Sequence, residues 1–556
     1  MAYSSRRMYR LVLFFLSLSG LLIMRLFYLQ VIQGPQLALE GLNIRVQELP
    51  VDVARGEILD RNHLPLTNTA QQYSIVIFPG QVEDKPVMLT RIDSIIGLPH
   101  DLLEASLRRL NSNEYPFRLI GGIASNTAKQ INDMQIPGAV AVAEKVRYGH
   151  GALAAHVVGY INSADNKGVS GIEGMYDELL RGSQPEYVAA IVDASQQLIP
   201  GLGYKRMKLT AGNRETNIVL TIDKQIQQKV EQIMDRTIVK GAVVVMRPNT
   251  GEILAMASRP AFDANNLSHY LEQNSAPLLN RAVSSYQPGS VFKLVVAAAA
   301  LENKTVKMDD VFFDPGYIDV NNTRFQGWDY ERGPKGRLTI TEAMAHSSNP
   351  VFIEIALKIG SDKLIVMAQK LGYGSRTKLE FLGESEGNLP EADQLYPGDL
   401  ANLAIGQGFC EATPVQIAQT VATIVNDGIK IEPYIVSSLT SPEGITVKRF
   451  HESHPNVRVM SRQTAERLRG MMAAVTQYGT GQAANVEGLG SAGKTGSAET
   501  GRKNITGQGI NHAWFAGYAP LEHPNYVIVV FVEEGMSGSN VAAPIFREIA
   551  ATILKN

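Results

Sequence analysis

An apolar run near the N-terminus, from Leu11 to Ile32, constrains the architecture of this chain more than any other feature. As a helix its 22 residues would be about 33 Å long, enough to cross the roughly 30 Å hydrocarbon core of a membrane. Arginines precede the run, and basic residues before a span predict a cytoplasmic N-terminus. We therefore expect a cytoplasmic tail at 1–10, a transmembrane anchor at 11–32, and everything after residue 40 outside the cytoplasm.

A cleaved signal peptide is the alternative interpretation of the same run. It is less favoured, because no convincing small-x-small cleavage site follows the apolar residues. Arg25 interrupts the run near its far end, where its aliphatic stem can extend toward the lipid headgroups. The sequence therefore predicts a retained single-pass anchor in the cell membrane.

Length and composition limit the remaining possibilities. A chain of 556 residues predicts two or three domains, and 45% hydrophobic with 19% charged residues is a globular balance. The net charge of −2 argues against a nucleic-acid partner, which would require a basic surface. A single cysteine, Cys410, excludes an intramolecular disulfide, and the ten histidines form no H-E-x-x-H motif. The sequence implies no metal and no cofactor.

The chain changes character near residue 210. Residues 40–206 are mixed, and segments 55–62 and 171–174 combine glycine with charge, which predicts tight turns held by ion pairs. Residues 207–216 are polar and predict a linker. In residues 217–556, apolar runs predict strands at 242–246, 252–258, 513–518 and 526–532, with helices between them and a last helix from 542 to 554. This order predicts an α+β domain built on an antiparallel sheet.

The segment from Gly488 to Thr500 fits two unrelated motifs. Gly488 to Thr495 matches the phosphate-binding pattern G-x-x-x-x-G-K-[ST], and Lys494 to Gly496 is the K-T-G of penicillin-binding serine acyltransferases. A phosphate loop needs a buried strand before it and a helix after it. Neither flank fits. The preceding residues, 477–487, do not have the pattern of a buried strand, and the following residues are too rich in glycine to begin a helix. The K-T-G interpretation is therefore favoured.

K-T-G chemistry requires an S-x-x-K pair, and the chain contains three: Ser290/Lys293, Ser375/Lys378 and Ser491/Lys494. Ser290 follows Gln-Pro-Gly and begins a strongly apolar helix, so that a lysine three residues later can reach its hydroxyl. The segment around Ser375 is a polar turn. Context therefore selects Ser290, and the one S-x-N in the chain, at 347–349, also precedes an apolar helix.

Taken together, these motifs resemble the transpeptidase domain of class B penicillin-binding proteins. The resemblance rests on Ser-Tyr-Gln-Pro-Gly-Ser-Val-Phe-Lys (285–293), Ser-Ser-Asn (347–349), Gly-Gln-Gly (406–408) and Lys-Thr-Gly-Ser-Ala (494–498). The anchor and the segments 55–62 and 171–174 are similar to the family's membrane helix and non-catalytic pedestal, which we expect at 40–206. His63 departs from the pattern, since the family usually has glycine there.

The resemblance implies a peptidoglycan D,D-transpeptidase that is acylated by β-lactams. It assigns catalysis to a group of five residues: Ser290, Lys293, Ser347, Asn349 and Lys494. It assigns substrate binding to Thr495, Gly496 and Ser497. Ser290 would attack the bond between the last two D-alanines of a stem peptide, and Lys293 would accept its proton. A D-alanine carboxypeptidase side activity is a possible addition. Trp328 and Tyr286 are equally compatible with the cleft wall and with the core.

The implied partners are peptidoglycan stem peptides, the cell membrane and a glycosyltransferase of the SEDS family, with no nucleic acid. Two alternatives remain at this point. A membrane-anchored serine β-lactamase would share the three motifs, although the long pedestal and the S-x-N argue against it. A β-lactam sensor would need a cytoplasmic effector, and only ten residues precede the span.

Overall fold

The computed structural model describes residues 5–34, 37, 46–112, 115–149, 151, 153–162, 165–193, 198–199, 203–208, 215–450, 457–504 and 507–555. Parts of the predicted tail and of the predicted linker, residues 1–4 and 209–214, therefore lie outside the described residues. The chain forms two compact units, and both are discontinuous in sequence. Residues 55–70 and 147–182, expected in the pedestal, belong to the second unit together with 214–556. The predicted linear boundaries do not coincide with these units.

The N-terminal run is a helix, Ser5–Phe27, that continues as a π-helical turn, Tyr28–Ile32. Its apolar side chains are exposed along its length. An 18-residue window within Arg7–Ile32 has a mean hydropathy of 2.1, and the segment is long and apolar enough to cross a membrane. Length and composition agree equally well with a signal sequence.

The first unit contains two three-stranded sheets and short helices. One sheet has the strand order Val46–Arg55, Arg181–Ile191, Tyr204–Lys208, and the other has the order Phe117–Ile123, Ala70–Ile77, Ala139–Val146. The helices are Lys85–Ile96, His100–Ser112 and Ser125–Asp133. Ile75, Ile77, Ile92 and Ile131 are fully buried between the second sheet and these helices.

A five-stranded antiparallel sheet organises the second unit. Its strand order is Ile253–Arg259, Gly241–Met246, Tyr526–Val532, Gly509–Ala519, Ala492–Lys503. The predicted α+β class and antiparallel sheet are thus confirmed. The outermost strand, Ala492–Lys503, carries the K-T-G motif and leaves one edge free of a sixth strand among the described residues.

Alternation along the strands gives this sheet two buried faces. Val244 and Val529 face one core, whereas Val243 and Val530 face the other, as the two-residue period of a strand requires. The first core contains the helix Pro414–Val425, which contacts the central strands. Helices Lys224–Thr237 and Ala543–Leu554 cover the opposite face.

The other elements of the second unit surround this sheet. Its remaining helices are Ala155–Val158, Gly171–Met175, Asp177–Leu180, Ser268–Leu271, Lys293–Glu302, Ile340–Ala345, Asn349–Ile359, Ser361–Leu371, Pro397–Ala404 and Arg462–Gln477. Its remaining strands are Ile58–Leu59, Asn217–Leu220, Val311–Asp314, Tyr317–Val320, Thr323–Gln326, Gly336–Thr339, Ile429–Lys430, Val436–Thr440, Thr446–Arg449 and Val457–Arg458.

The two glycine- and charge-rich segments meet in a buried ion-pair cluster within the second unit. Glu173 has no exposed surface and binds Arg55 at 2.6 Å through one carboxylate oxygen and Arg147 at 2.7 Å through the other. Asp177 binds Arg55 at 2.8 Å. The predicted ion pairs are therefore present, but segment 171–174 belongs to a short helix, Gly171–Met175, and does not form the predicted tight turn. His63 has a φ of 61°, a left-handed backbone that suits glycine, the usual residue of the family here.

Candidate active site

Ser290 lies on a turn whose backbone is fixed by close contacts. It belongs to a 3₁₀ turn, Gly289–Phe292, and the α-helix begins at Lys293, three residues later than the sequence predicts. Gly289 has a φ of 55°, and a Cβ there would lie 2.8 Å from the backbone oxygen of Ser497. Its N–H donates to the oxygen of Gly406 at 2.9 Å. The Gly-Gln-Gly segment thus supports the turn, and the Ser290 side chain lines a cleft.

Lys293 is completely buried directly behind this turn. Residues i and i+3 lie almost above one another in a 3₁₀ turn, which places Lys293 on the same side of the turn as Ser290. Its Nζ donates to the backbone oxygen of Ser347 at 2.7 Å and to Oδ1 of Asn349 at 2.7 Å. The Oγ of Ser347 is 3.3 Å from the same nitrogen. The structure therefore joins the S-x-x-K and S-x-N motifs through one amine.

Ser347 occupies a strained turn between two helices. The helix Ile340–Ala345 ends just before it, and the next helix begins at Asn349. Its φ of 56° is rare for a residue other than glycine, and such strain costs on the order of 1–3 kcal/mol. The turn directs its Oγ between two amines, because Lys494 Nζ also donates to it, at 2.9 Å.

Burial lowers the pKa of both lysines. It lowers the pKa of Lys494 to about 7. Burial also lowers the pKa of Lys293 well below its ordinary value, and the positive charge of Lys494 lowers it further. Burial and the neighbouring positive charge thus favour the neutral form of Lys293, and a second amine donates to the same Ser347 hydroxyl. Such an arrangement supplies a neutral amine that can accept a proton from a nucleophile.

The K-T-G segment forms the beginning of the strand Ala492–Lys503 and not the start of a helix, which excludes a phosphate loop. Thr495 and Ser497 line the cleft. Gly496 does not line it. A Cβ at Gly496 would lie 2.9 Å from the oxygen of Pro288, so its absence lets the strand approach the Ser290 turn.

The cleft has a volume of about 990 Å³ and is lined mainly by polar side chains. Trp328 is 56% exposed on its wall and donates from Nε1 to the oxygen of His346 at 3.1 Å. Tyr286 instead packs on Phe531, with the ring centroids 4.2 Å apart, and does not line the cleft. The two candidate aromatic residues thus have different locations.

Two contributors were not recognised in the sequence. Thr480 lines the cleft, and its hydroxyl is 2.7 Å from that of Thr495. The glycines on both sides of it could have been the signal, since a Cβ at Gly479 would lie 2.2 Å from the oxygen of Ala345. Gln326 accepts a 3.0 Å hydrogen bond from Nδ2 of Asn349 through its backbone oxygen, which no motif indicates.

The other candidate nucleophiles lie elsewhere. Ser375 donates to the oxygen of Gly372 at 3.4 Å on a surface turn. Ser491 is buried and donates to the oxygen of Ala484 at 2.8 Å. Cys410 is fully buried, and burial raises the pKa of its thiol. None of the three lines the cleft.

Two family models match the chain. The penicillin binding protein transpeptidase domain matches residues 241–551, more than half of the chain, and the penicillin-binding protein dimerisation domain matches residues 50–199. Stage V sporulation protein D of Bacillus subtilis is 30% identical over 541 aligned residues, covering 94% of this chain and 82% of that protein. Peptidoglycan D,D-transpeptidase MrdA of Escherichia coli is 27% identical over 597 residues, covering 97% and 92%.

Solved structures give the same result. A chain of a peptidoglycan synthase complex aligns with a TM-score of 0.74 at 28% identity, covering 99% of this chain and 98% of that chain. Penicillin binding protein 3 of Mycobacterium tuberculosis, complexed with aztreonam, aligns with a TM-score of 0.64 at 28% identity, covering 92% and 96%. From the family models, the relatives and these structures, the chain belongs to the class B penicillin-binding proteins.

Proposed function

We propose that this protein is a peptidoglycan D,D-transpeptidase with Ser290 as its nucleophile. The observation that carries the proposal is the Ser347 hydroxyl between the amines of Lys293 and Lys494, beside Ser290 in one cleft. Three motifs more than 50 residues apart meet there, and the relatives named above include a D,D-transpeptidase. Their convergence supplies a nucleophile, a neutral amine and a proton relay.

Acylation begins when Ser290 Oγ attacks the carbonyl between the last two D-alanines of a stem peptide. The neutral amine of Lys293 accepts the hydroxyl proton, which requires its pKa to lie well below the ordinary value. As the C–N bond breaks, the departing amine of the terminal D-alanine takes up a proton through Ser347. The product is an ester between Ser290 and the remaining peptide.

The second half-reaction reverses these transfers. The amine of a neighbouring stem peptide attacks the ester carbonyl, gives up its proton to the lysine pair, and forms the cross-linking amide while Ser290 is released. Water in place of the amine gives D-alanine carboxypeptidase activity, which we propose as a side reaction. Asn349 holds Lys293 through Oδ1, and its Nδ2, which donates one hydrogen to the oxygen of Gln326, has a second hydrogen for the substrate amide at the cleft.

The K-T-G strand binds the negatively charged end of the substrate. We assign the terminal carboxylate of the donor to Thr495 and Ser497, with the positive charge of Lys494 behind them. The backbone N–H groups of Ser290 and Ser497 form the oxyanion hole, typically worth about 10²–10³ in rate per donor. The contact that would occur between a Cβ at Gly289 and Ser497 O indicates how closely these two segments approach. Gly496 has no side chain to offer the substrate, and its role is to let the strand lie close to the Ser290 turn.

We further propose that the chain is a single-pass membrane protein with a cytoplasmic N-terminus, the anchor at 11–32, a pedestal at 40–206 and the catalytic domain at 217–556. A SEDS-family glycosyltransferase is the proposed partner. Support comes from the apolar helix and from the aligned chain of a peptidoglycan synthase complex, whose match extends over 99% of this chain, including the helix.

Incubation of the purified protein with a penicillin and with a synthetic donor ending in D-alanyl-D-alanine tests the proposal. A transpeptidase forms a stable acyl-enzyme at Ser290 and releases D-alanine into a cross-linked product when an acceptor amine is present. Release of penicilloate within minutes would instead indicate a β-lactamase. Acylation with no D-alanine release in the presence of donor, acceptor and partner would indicate a sensor.

A further inference from the structure

A second cavity lies within the second compact unit, away from the catalytic cleft. Its volume is about 710 Å³, and among the described residues none lines both spaces. The lining comes from the end of the helix Gly171–Met175, from residues 378–380, and from within the segment 430–436, with Phe450 and Val457 beside it. Cavities of roughly 300–1,000 Å³ that are mostly apolar with a few polar groups are typical of small-ligand sites. The cavity thus has the size and the separation of an independent binding site.

Apolar and aromatic side chains form most of this lining. The side chains that are almost fully buried belong to Leu379, Ile435 and Val436. Three partly exposed aromatic rings belong to Tyr176, Tyr434 and Phe450. Aromatic rings pack well against apolar groups, and their faces also attract cations. A ligand of matching chemistry therefore has an aromatic or bulky apolar body.

A short turn places two opposite charges at the cavity. Lys378 and Glu380 line it on either side of the buried Leu379. The N–H of Glu380 donates to the oxygen of Thr377 at 3.4 Å, and the hydroxyl of Thr377 donates to buried Glu384 at 2.6 Å. Glu380 has a φ of 50°, a left-handed backbone that is unfavourable for residues other than glycine and often occurs at ligand sites. The turn therefore holds a cation and an anion in a fixed frame.

Neither of these charges is neutralised by a neighbour. In the part of the chain that the structure describes, no hydrogen bond or ion pair involves the side chain of Lys378 or of Glu380. The other two charged residues of the lining pair with each other, since Nζ of Lys430 lies 3.5 Å from a carboxylate oxygen of Glu432. Burial raises the pKa of the Tyr176 hydroxyl, and the negative charge of Glu380 raises it further. One cation and one anion thus remain for a ligand.

We propose that this cavity binds a zwitterion with an aromatic or bulky apolar body, whose ammonium group pairs with Glu380 and whose carboxylate pairs with Lys378. The ligand class is an apolar amino acid or a short peptide with free ends. Tyr176, which lies within range of the charge of Glu380, supplies a ring for the ammonium group. Lys378 is the lysine of the S-x-x-K pair that lies outside the catalytic cleft. The site goes beyond the proposed transpeptidase activity and does not rest on it.

Three ligands with one aromatic body test the two charge contacts separately. Tryptophan carries both charges, N-acetyltryptophan keeps only the carboxylate, and tryptophanamide keeps only the ammonium group. Titration calorimetry of the full chain in detergent, with detergent alone subtracted, gives the Kd of each ligand in both configurations. The measurement is repeated for Lys378→Met and Glu380→Gln, both of which change exposed side chains.

Tryptophan should bind the wild-type chain, and each variant should weaken it about two- to fivefold, as expected for a partly exposed charge pair. The single-charge ligands should give a crossed pattern. Lys378→Met should weaken N-acetyltryptophan and leave tryptophanamide unchanged, whereas Glu380→Gln should weaken tryptophanamide alone. Lys363→Met and Glu391→Gln are the matched controls, because both residues are exposed and do not line the cavity. They should bind all three ligands as wild type does.

Penicillin separates this cavity from the catalytic cleft. Protein acylated at Ser290 should bind tryptophan with an unchanged Kd, and loss of binding on acylation would place the ligand in the cleft and overturn the proposal. Absence of tryptophan binding to the wild-type chain, or equal effects of both variants on all three ligands, would also overturn it. Each of these results would leave the transpeptidase proposal intact. Failure of penicillin to acylate the wild-type chain would instead contradict the proposed function alone.

Discussion

The carboxylate of Asp314 accepts a 2.6 Å hydrogen bond from the hydroxyl of Ser348, the middle residue of the Ser-Ser-Asn motif. The same hydroxyl accepts a 3.3 Å hydrogen bond from the N–H of Val351 and so caps the helix that begins at Asn349. The other oxygen of Asp314 accepts from the N–H of Gly316 at 2.7 Å. A buried carboxylate outside every recognised motif thus anchors the turn that holds Ser347 in its left-handed conformation.

Asp314→Asn should slow acylation by about tenfold, because a charge-assisted hydrogen bond worth about 1.5–3 kcal/mol is replaced by a weaker one. The negative charge of Asp314 also raises the pKa of Lys293, opposing burial. Its loss should therefore move the rise of the pH–rate profile to lower pH. Stopped-flow acylation by a penicillin between pH 5.5 and 9 measures both effects.

Ser348→Ala provides the matched comparison, since it removes the same hydrogen bond but keeps the charge. It should slow acylation without shifting the pH profile. Identical profiles for Asp314→Asn and Ser348→Ala would mean that Asp314 acts on the turn alone and not on the amine of Lys293.

Ser290→Ala should abolish covalent labelling by a fluorescent penicillin while the protein stays folded. The hydroxyl is the proposed nucleophile, and its removal from a partly exposed residue creates little buried cavity. Gel fluorescence measures labelling, and circular dichroism checks the fold. Ser375→Ala and Ser491→Ala are the controls and should label as wild type does. Labelling that persists in Ser290→Ala would refute the choice among the three S-x-x-K pairs.

The sequence predicted the central sheet and the three motifs because both have local signatures: short apolar runs for the strands, and short residue patterns for the motifs, two of which precede apolar helices. It did not identify Asp314 or Thr480, since each acts through a partner far away in sequence, Ser348 and Thr495 respectively. It could not separate Trp328 from Tyr286, because exposure of an aromatic ring depends on the tertiary contacts around it. The two discontinuous units likewise result from long-range pairing, such as that of Arg55 with Glu173.

Acylation should fall as the pH is lowered into the range where Lys293 gains a proton, and it should also fall above about pH 7, where Lys494 loses the positive charge assigned to the donor carboxylate. The amine that accepts the Ser290 proton must be neutral, and burial, together with the positive charge of Lys494, lowers the pKa of Lys293 well below its ordinary value. Each fall should reach up to tenfold per pH unit. A flat profile from pH 5.5 to 9 would contradict proton transfer to these lysines.

The free energy of unfolding should also depend on pH, because burial lowers the pKa of Lys494 in the folded chain. Between about pH 7 and the ordinary lysine pKa of 10.5, the unfolded chain binds a proton at Lys494 and the folded chain does not. The free energy of unfolding should therefore rise with pH in this window, by up to about 1.4 kcal/mol per pH unit from this lysine. Lys494→Met should reduce that slope in denaturant titrations at several pH values, and an unchanged slope would contradict the lowered pKa.

Glu173→Gln should lower the free energy of unfolding by about 3–5 kcal/mol, because it leaves the buried guanidinium groups of Arg55 and Arg147 without their shared countercharge. Thermal unfolding of the full chain measures the loss. Glu354→Gln is the control, since its ion pair with Lys358 lies on an exposed helix surface and contributes little. Equal melting temperatures for Glu173→Gln and Glu354→Gln would mean that the cluster is not a structural support.

Replacing residues 11–32 with an unrelated anchor of equal length should preserve penicillin labelling and abolish cell-wall function in vivo. Labelling persists because Ser290 and its partners all lie in the second compact unit, which does not include the anchor. Function is lost if a partner recognises the helix itself. Ser17, Ser19 and Gly20 are small and would let another helix approach closely. The hydroxyl of Ser17 donates to the backbone oxygen of Leu13, so Ser17 exposes no unpaired hydroxyl to lipid.

A narrower variant, Gly20→Leu, removes the close approach while keeping the native span. If both variants complement a depleted strain fully, the helix is only a tether and the proposed glycosyltransferase is not recognised through it.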